Sequence, residues 1–324
     1  MNKKLFILAY IISLNAFSEA KKIELAKGNI STFNNISVVK HRDVETTYYV
    51  YVHGLGGRGI NCFQWSHIGV INDLAPSKNF ILYDPLVFFD FPDVCPKLFN
   101  PSKTDLGQTT ELSYLKQNFK DLLSIIEPES KIVISGVSRG AAIIINLMNM
   151  LEEEEQNRIA MLILESPFDH VLNVIKNVIG KMYQDWNPFM QITASWSFQK
   201  LFPNVDINGP APIDNVIKIP KHIPVIFIHS LKDKLININS SRRLYSRLIQ
   251  NGHEHAYYLE LEDGEHARLL WQNHGPTYQA IIHALYQKYN LEHDLELATK
   301  GKNHLHKCQP SDHYIQQLIK KTRF

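Results

Sequence analysis

The sequence predicts an α/β protein with a doubly wound, mostly parallel β-sheet. Short apolar runs typical of buried parallel strands alternate with longer segments of helical periodicity through most of the chain. The 324 residues are 44% hydrophobic and contain no internal repeat or low-complexity linker. A chain of this size can bury roughly three quarters of its unfolded surface around one core. We therefore expect one main domain, with its functional residues at the carboxyl ends of the strands.

The elements are predicted in chain order from apolar periodicity. A β-rich run begins at Thr46 and stops at His53, and further strands are predicted over residues 80–83, 131–135, 159–165, 225–229 and 257–261. Helices are predicted over residues 111–126, 139–151, 171–182, 240–250 and 276–289. The first helix has apolar residues on one face, and the helix over 240–250 is closed by Asn251-Gly252.

Residues 131–150, KIVISGVSRGAAIIINLMNM, join a β-branched run to a helical one through a G-x-S-x-G turn. This strand–turn–helix pattern is typical of a nucleophile elbow, with Ser138 as the nucleophile. Gly136 and Gly140 suit such a turn because a Cβ at either position would collide with neighbouring backbone. The following helix would place the Ser138 hydroxyl at its positive end.

A glycine-rich loop follows the early strand, over His53-Gly54-Leu55-Gly56-Gly57. Its backbone could direct the N–H of Leu55 at a developing oxyanion, and the N–H of Arg139, just after the serine, would be the second donor. A simple strand-to-helix connection or a phosphate cradle is the alternative. However, the spacing G-L-G-G-R-G fits neither the dinucleotide fingerprint nor the P-loop well.

An acid and a histidine follow two later predicted strands. Asp233 lies just beyond the apolar run 225–229, although most loop aspartates are only solvated or cap a helix. His266 lies in the loop after the last predicted strand, where a general base oriented by a carboxylate is expected. The chain has 15 histidines, and His274, at the entry to the next helix, is the second choice.

With Ser138, Asp233 and His266 in this chain order, the sequence resembles the α/β-hydrolase superfamily from about residue 48 to 289. The resemblance also covers the loop that begins at His53 and implies a serine hydrolase acting through an acyl-enzyme without metal or cofactor. The C-terminal half looks like the esterase, lipase and prolyl-oligopeptidase-like branches. Carboxyl esters are the expected substrates. Peptidase action, acyl transfer and a non-catalytic binding scaffold are the alternatives.

Two insertions and a tail are expected around the catalytic domain, which is assigned residues 21–290. Residues 166–224 are too long for a simple crossover and are rich in aromatic side chains, which predicts a helical cap that shapes an apolar pocket and also packs on the sheet. Residues 86–108, with Phe88, Phe89 and Phe91, are interpreted as an ordered surface loop at the same rim. Residues 291–324 form an extension without an assigned role.

The N-terminus predicts export. Basic residues 1–4 precede the apolar segment 5–17, and Ser18-Glu19-Ala20 provides a small-x-small cleavage pattern. The apolar segment is shorter than the about 20 residues of a membrane span, so we expect a signal peptide over residues 1–20, no stable span after its cleavage, and a periplasmic or extracellular protein. An uncleaved anchor is the alternative.

Cysteine content and charge limit the possible partners. In an exported protein, Cys62 and Cys95 are a plausible disulfide, which leaves Cys308 free or paired elsewhere. His304-x-His306-x-Cys308 has donors suited to zinc, but a polar tail is favoured because no second half-site is visible. Two N-x-S patterns begin at Asn29 and Asn35. The net charge of +2 gives no electrostatic case for nucleic acid, so a small-molecule ester or a peptide is the expected partner.

Overall fold

The described residues form an eight-stranded sheet with helices on both faces. The computed structural model describes residues 29–33, 36–40, 47–55, 86–89, 91, 101–180 and 188–322. The strands are β1 (Asn29–Phe33), β2 (Ile36–Lys40), β3 (Thr47–Val52), β4 (Leu86–Phe89), β5 (Lys131–Val137), β6 (Ile159–Glu165), β7 (Val225–Ser230) and β8 (Ala256–Leu261). Their order is β1-β2-β4-β3-β5-β6-β7-β8; the first two pairings are antiparallel and the other five are parallel.

The helices alternate with the strands, as the sequence predicts for a doubly wound sheet. They are α1 (Thr110–Ile125), α2 (Arg139–Met148), α3 (Glu153–Gln156), α4 (Val171–Gly180), α5 (Pro188–Leu201), α6 (Pro212–Asn215), α7 (Asn239–Gln250), α8 (Gly275–Lys288), α9 (Leu295–Leu305) and α10 (Asp312–Lys321). Within the described ranges, no helix is long and apolar enough to cross a bilayer.

The core has two layers, one on each face of the sheet. Successive side chains of a strand point to opposite faces, so Val50 and Val52 pack with the helices on one side while Tyr49 and Tyr51 pack on the other. Helices α1, α2, α7 and α10 contribute to the first layer, and α8 contributes to the second. Strands buried on both faces explain the continuous apolar runs in the sequence.

The described start of the segment 86–108 differs from its expected role as a surface loop. Its first four residues form β4, between β2 and β3, and Phe88, Phe89 and Phe91 are buried in the core. The prolines nearby are typical of a loop, but the run LVFF is a short buried strand. The strand predicted over 80–83 lies outside the described residues.

An antiparallel hairpin of β1 and β2 extends the sheet beyond β4 and was not predicted from the sequence. The pairing of β2 with β4 joins this hairpin to the parallel part of the sheet. The first N-x-S pattern, at Asn29, begins strand β1, and Asn35 of the second lies outside the described residues. The predicted signal segment, Cys62 and Cys95 also lie outside them.

Helices α4, α5 and α6 follow β6 within residues 166–224, the segment for which the sequence predicts a cap. Phe168, Phe198 and Phe202 are buried in one apolar cluster, in which the rings of Phe198 and Phe202 stack at 4.6 Å. Leu55, from the glycine-rich loop, packs against the same cluster. Trp196, in contrast, is 60% exposed.

The C-terminal extension packs on the main body. Helix α9 lies along α8, and α10 lies along α7, with Ala298, Cys308 and Ile315 buried. The Cys308 thiol is free and donates to the His304 carbonyl at 3.5 Å. The described part of the chain contains no group of three or more His, Cys, Asp or Glu side chains that could hold a metal.

A cleft of about 420 Å³ opens beside β8 and the C-terminal helices. Tyr258, Glu260 and Tyr314 are among its lining residues. Ser138, Asp233 and His266 do not line it. The cleft is therefore separate from the candidate active site.

Candidate active site

Ser138 occupies a sharp turn between β5 and α2. Its backbone has φ 57° and ψ −116°, a conformation that costs a non-glycine residue free energy and is typical of functional turns. A Cβ on Gly140 would collide with the Val52 carbonyl, and one on Gly136 would lie 2.7 Å from the Gly140 backbone. The two glycines therefore let the chain make the predicted turn and pass directly into a buried helix.

Asp233 and His266 meet at the carboxyl edge of the sheet, as the sequence predicts. His266 Nδ1 lies 2.7 Å from Asp233 Oδ2. The other carboxylate oxygen, Oδ1, accepts hydrogen bonds from the N–H groups of Leu235 at 2.8 Å and Ile236 at 2.9 Å. These contacts hold the carboxylate in place. Since Asp233 binds Nδ1 of His266, Nε2 is the ring nitrogen that can face a substrate or the serine.

His229, the fifth residue of β7, is a second histidine at this carboxylate. Its Nε2 lies 3.2 Å from Asp233 Oδ2 and 3.1 Å from the Ile236 carbonyl, while its Nδ1 lies 2.7 Å from Ser241 Oγ. The ring is fully buried. In the sequence, His229 only closes an apolar run, so its contact with the acid was not predicted.

Electrostatics favour an ionised acid beside a basic histidine. Burial raises the pKa of Asp233, but the charge of His266 and hydrogen bonds from His229 and His266 outweigh it and hold the pKa well below its usual range. Burial lowers the pKa of His266, but the charge of Asp233, their hydrogen bond and the charge of Glu165 raise it above 6.5. The pair can accept a proton at Nε2 and stabilise the resulting imidazolium.

Glu165, at the end of β6, connects the serine turn to the histidine loop. Its carbonyl accepts from the Ser138 N–H at 2.8 Å, and its Oε1 accepts from the Leu269 N–H at 3.3 Å. Burial raises the pKa of Glu165 to about 7, against hydrogen bonds from Leu269 and Tyr278 that lower it. In the part of the chain that the structure describes, no hydrogen bond joins Ser138 Oγ to His266.

The glycine-rich loop lies against the serine. A Cβ on Gly54 would lie 3.3 Å from Ser138 Cβ and 3.9 Å from its Oγ. The structure therefore brings the backbone of Gly54 close to Ser138, and Arg139 follows Ser138 directly in the chain. Gly56 lies outside the described residues.

The Arg139 side chain runs beneath that loop and is buried. Its Nη1 donates to Glu111 Oε1 at 2.6 Å, and its Nη2 lies 3.3 Å from His53 Nδ1 and 3.4 Å from the Gly54 carbonyl oxygen. The guanidinium also lies 4.4 Å from the centre of the Phe91 ring. The sequence assigned Arg139 only a backbone role, and it assigned no site role to Glu111.

This topology matches known structures at low sequence identity. An acylaminoacyl peptidase from Pyrococcus horikoshii aligns with a TM-score of 0.57 and 16% identity, covering 86% of this chain and 44% of the peptidase. An esterase from Pyrococcus furiosus aligns with a TM-score of 0.55 and 15% identity, covering 84% and 95% of the two chains. The chain has the α/β-hydrolase fold. This chain spans less than half of the peptidase.

No protein-family model and no curated protein sequence matches this chain. The α/β-hydrolase fold is therefore evident from the arrangement of strands and helices, while sequence similarity alone assigns no activity. At 15–16% identity the two structural neighbours support the fold and leave the reaction to be argued from the site.

His274, the second choice for the base, lies apart from Asp233 in this α/β-hydrolase fold. It precedes α8, its Nε2 is 3.6 Å from Asp263 Oδ1, and its side chain is 34% exposed. Position in the sequence already favours His266, because it alone lies in the loop just after the last predicted strand. The tertiary contact with Asp233 separates them clearly, since it is His266 that the acid binds.

Proposed function

We propose that this protein is a serine hydrolase in which Ser138, His266 and Asp233 form the catalytic triad. The 2.7 Å contact between His266 and Asp233, on the sheet edge that also carries the strained Ser138 turn, is the observation that carries the proposal. His266 Nε2 takes the Ser138 proton as Oγ attacks a carbonyl carbon, and Asp233 stabilises the imidazolium. Hydrogen bonds between nucleophile and base often shorten only when substrate binds.

The tetrahedral intermediate would place its negative oxygen between the N–H groups of Leu55 and Arg139. Preorganised donors of this kind contribute about 3–4 kcal/mol each to the stability of the transition state. The N-terminus of α2 adds its positive dipole at the same point. Collapse of the intermediate expels the alcohol, protonated by His266, and water then hydrolyses the acyl-enzyme by the same steps.

Carboxyl esters are the favoured substrates. The apolar cluster that includes Phe168, Phe198 and Phe202 reaches Leu55, so an apolar surface adjoins the predicted oxyanion site. Such a surface suits an apolar acyl chain. We infer that residues 166–224 act as a cap that supplies this acyl pocket to the catalytic domain over residues 21–290.

Labelling with a fluorophosphonate tests the nucleophile. We expect intact mass spectrometry to show one phosphonyl group on the wild type and none on Ser138→Ala. Ser124→Ala is a matched control because Ser124 lies on the exposed side of α1, where its hydroxyl donates only to the Asp121 carbonyl. Folded wild type that stays unlabelled, or a Ser138→Ala variant that is labelled, would contradict the proposal.

A substrate panel then tests the reaction class. We expect p-nitrophenyl esters to be hydrolysed, with kcat/KM rising with acyl length until the apolar pocket is filled. Aminoacyl anilides should be poor substrates. Faster cleavage of anilides than of esters would instead indicate a peptidase, and product formation only with an added alcohol acceptor would indicate acyl transfer.

We also infer that the protein is exported. A basic start, the apolar segment 5–17 and the pattern Ser18-Glu19-Ala20 support a cleaved signal peptide. N-terminal sequencing of the protein recovered from outside the cytoplasm should begin at Lys21. A start at Met1 in a membrane fraction would contradict cleavage and indicate an anchor.

A further inference from the structure

We propose that the buried Arg139–Glu111 ion pair positions the glycine-rich loop so that the Leu55 N–H points into the oxyanion site. The inference rests on the proposed function and deepens it, because it assigns a positioning role to two side chains that do not react. Arg139 and Glu111 are each about 1% exposed, and their contact is 2.6 Å. Burying two charges costs several kcal/mol per ion, so such a pair is weak evidence for stability alone.

The guanidinium joins segments that are distant in the chain. It lies against the Gly54 carbonyl and His53 Nδ1 on one side, and against Glu111 and Thr104 Oγ1, at 3.4 Å, on the other. Since arginine only donates, Nδ1 of His53 can either accept from Arg139 or donate to the Gly54 carbonyl 2.9 Å away. In both tautomers the Gly54 oxygen therefore has a donor, which is either the Arg139 guanidinium or the His53 ring.

The geometry of the peptide group links the position of the Gly54 oxygen to the direction of the Leu55 N–H. The Gly54 carbonyl and the Leu55 N–H belong to one planar trans peptide, in which C=O and N–H point in opposite directions. Holding the oxygen toward Arg139 therefore turns the N–H of Leu55 away from the guanidinium. Because Gly54 lies against Ser138, we place that N–H on the side of the oxyanion site.

Glu111 is itself held rigidly at the start of α1. Its Oε2 accepts from the Gly107 N–H at 2.8 Å. The buried Asp105 carboxylate accepts from the N–H groups of Gly107, Gln108 and Thr109 at 3.1, 3.2 and 2.9 Å. The acid that pairs with Arg139 is thus anchored by a hydrogen-bonded turn, which limits where the guanidinium can lie.

Variants of the pair test this role, because substitution of the Arg139 side chain leaves its own backbone N–H in place. Arg139→Met and Arg139→Lys should each lower kcat for a p-nitrophenyl ester by roughly 10²-fold, with KM changed less than about threefold. Rates are expressed per active site, counted by fluorophosphonate titration. Affinity for a trifluoromethyl ketone, whose hemiketal oxygen occupies the oxyanion site, should fall by a similar factor.

The double variant Glu111→Leu/Arg139→Met separates positioning from folding. Replacing both charges with apolar groups should recover the thermal stability lost in Arg139→Met, while kcat stays low. Arg242→Met is the matched control because Arg242 is a buried arginine paired with Glu260 at 2.7 Å, outside the site. It should lower stability and leave kcat per active site unchanged.

The outcomes distinguish the two proposals. Wild type that neither reacts with the fluorophosphonate nor hydrolyses esters would overturn the proposed function and this inference with it. An active wild type whose Arg139→Met and double variants retain kcat per active site would overturn the positioning role alone. Recovery of both stability and kcat in the double variant would likewise show that the pair only supports the fold.

Discussion

Asp233 shows how individual contacts set the chemistry of one residue. Two backbone N–H groups bind Oδ1, and two histidines approach Oδ2, so each contact favours the ionised form. An acid in these contacts stays charged at neutral pH and holds one tautomer of His266. His266 is thereby held in one orientation, which suits its proposed role as the base.

The raised pKa of His266 predicts the acidic limb of the pH–rate profile. The base must be neutral to accept the serine proton, so kcat/KM for an ester should fall as pH decreases through an apparent pKa above 6.5. Asp233→Asn removes the charge that raises this pKa, so the limb should move to lower pH and the rate should drop by roughly 10³-fold or more.

His274→Ala is the control for that profile, since His274 is partly exposed and contacts Asp263 instead of Asp233. It should retain the wild-type limb and rate. If the acidic limb is lost in His274→Ala but unchanged in Asp233→Asn, the base is His274 and the choice of His266 is wrong.

The buried Glu165 predicts a pH-dependent free energy of unfolding. Burial raises its pKa from 4.5 to about 7, so between these values the folded protein keeps a proton that the unfolded chain releases. The free energy of unfolding should therefore fall as pH rises through this window, by up to about 3 kcal/mol. Glu165→Gln keeps an acceptor for Leu269 and should lack this loss.

Urea unfolding of both proteins at pH 4.5 and pH 8 measures the effect. We expect the free-energy difference between Glu165→Gln and wild type to shift in favour of the variant at pH 8. Parallel pH dependences for the two proteins would contradict the prediction, because Glu165 would then titrate alike in the folded and unfolded states.

At the scale of elements, close backbone approaches determine where helices can lie. The elbow needs α2 to start against Val52, and Gly140 permits that contact. A second close contact at a glycine occurs in the C-terminal extension, where Gly301 of α9 lies directly against the Ala280 carbonyl of α8. A Cβ at Gly301 would collide with the Ala280 carbonyl oxygen, so the present spacing of α9 and α8 requires glycine.

Gly301→Ala should therefore separate α9 from α8 and lower stability by at least about 1–3 kcal/mol. Thermal unfolding should show a lower Tm, while fluorophosphonate labelling per folded molecule stays unchanged because α9 is outside the site. Lys300→Ala is the matched control, since it removes only an exposed ion pair with Glu296 and should change stability by less than about 0.5 kcal/mol. Equal Tm values for the two variants would contradict the close packing.

At the scale of the whole molecule, the sheet order gathers distant residues at one edge. Strands β5, β6 and β7 are adjacent and parallel, so their carboxyl ends carry Ser138, Glu165 and Asp233 side by side. Strand β8 adds the loop with His266 next to β7. Residues more than 120 positions apart in the chain thus form one site.

Export would also determine the state of the three cysteines. In an oxidising compartment, Cys62 and Cys95 should form a disulfide while buried Cys308 stays free. Alkylation of the denatured protein should modify one thiol without reductant and three with it. In Cys308→Ser, no thiol should be modified without reductant and two should be modified with it. Three modified thiols in the wild type without reductant would contradict the disulfide.

Much of this protein follows from its sequence, since the Ser138 turn, the strands β5 to β8 and the choice of Asp233 and His266 are encoded by local patterns. Glycine placement and runs of β-branched residues act over a few positions, where steric limits are strong. The β1–β2 hairpin and the placement of β4 depend on pairing with distant strands. Local pattern therefore predicted a loop where the structure has a core strand.

Only the tertiary structure decided the contacts of buried polar side chains. His229, Glu165, Glu111 and the guanidinium of Arg139 have no local signature, because each is defined by partners that are distant in sequence. A buried charge is stable only where the fold supplies its partners, and those partners emerge when the sheet assembles. The sequence by itself determined which residues could react, while the assembled sheet determined how their neighbours orient and charge them.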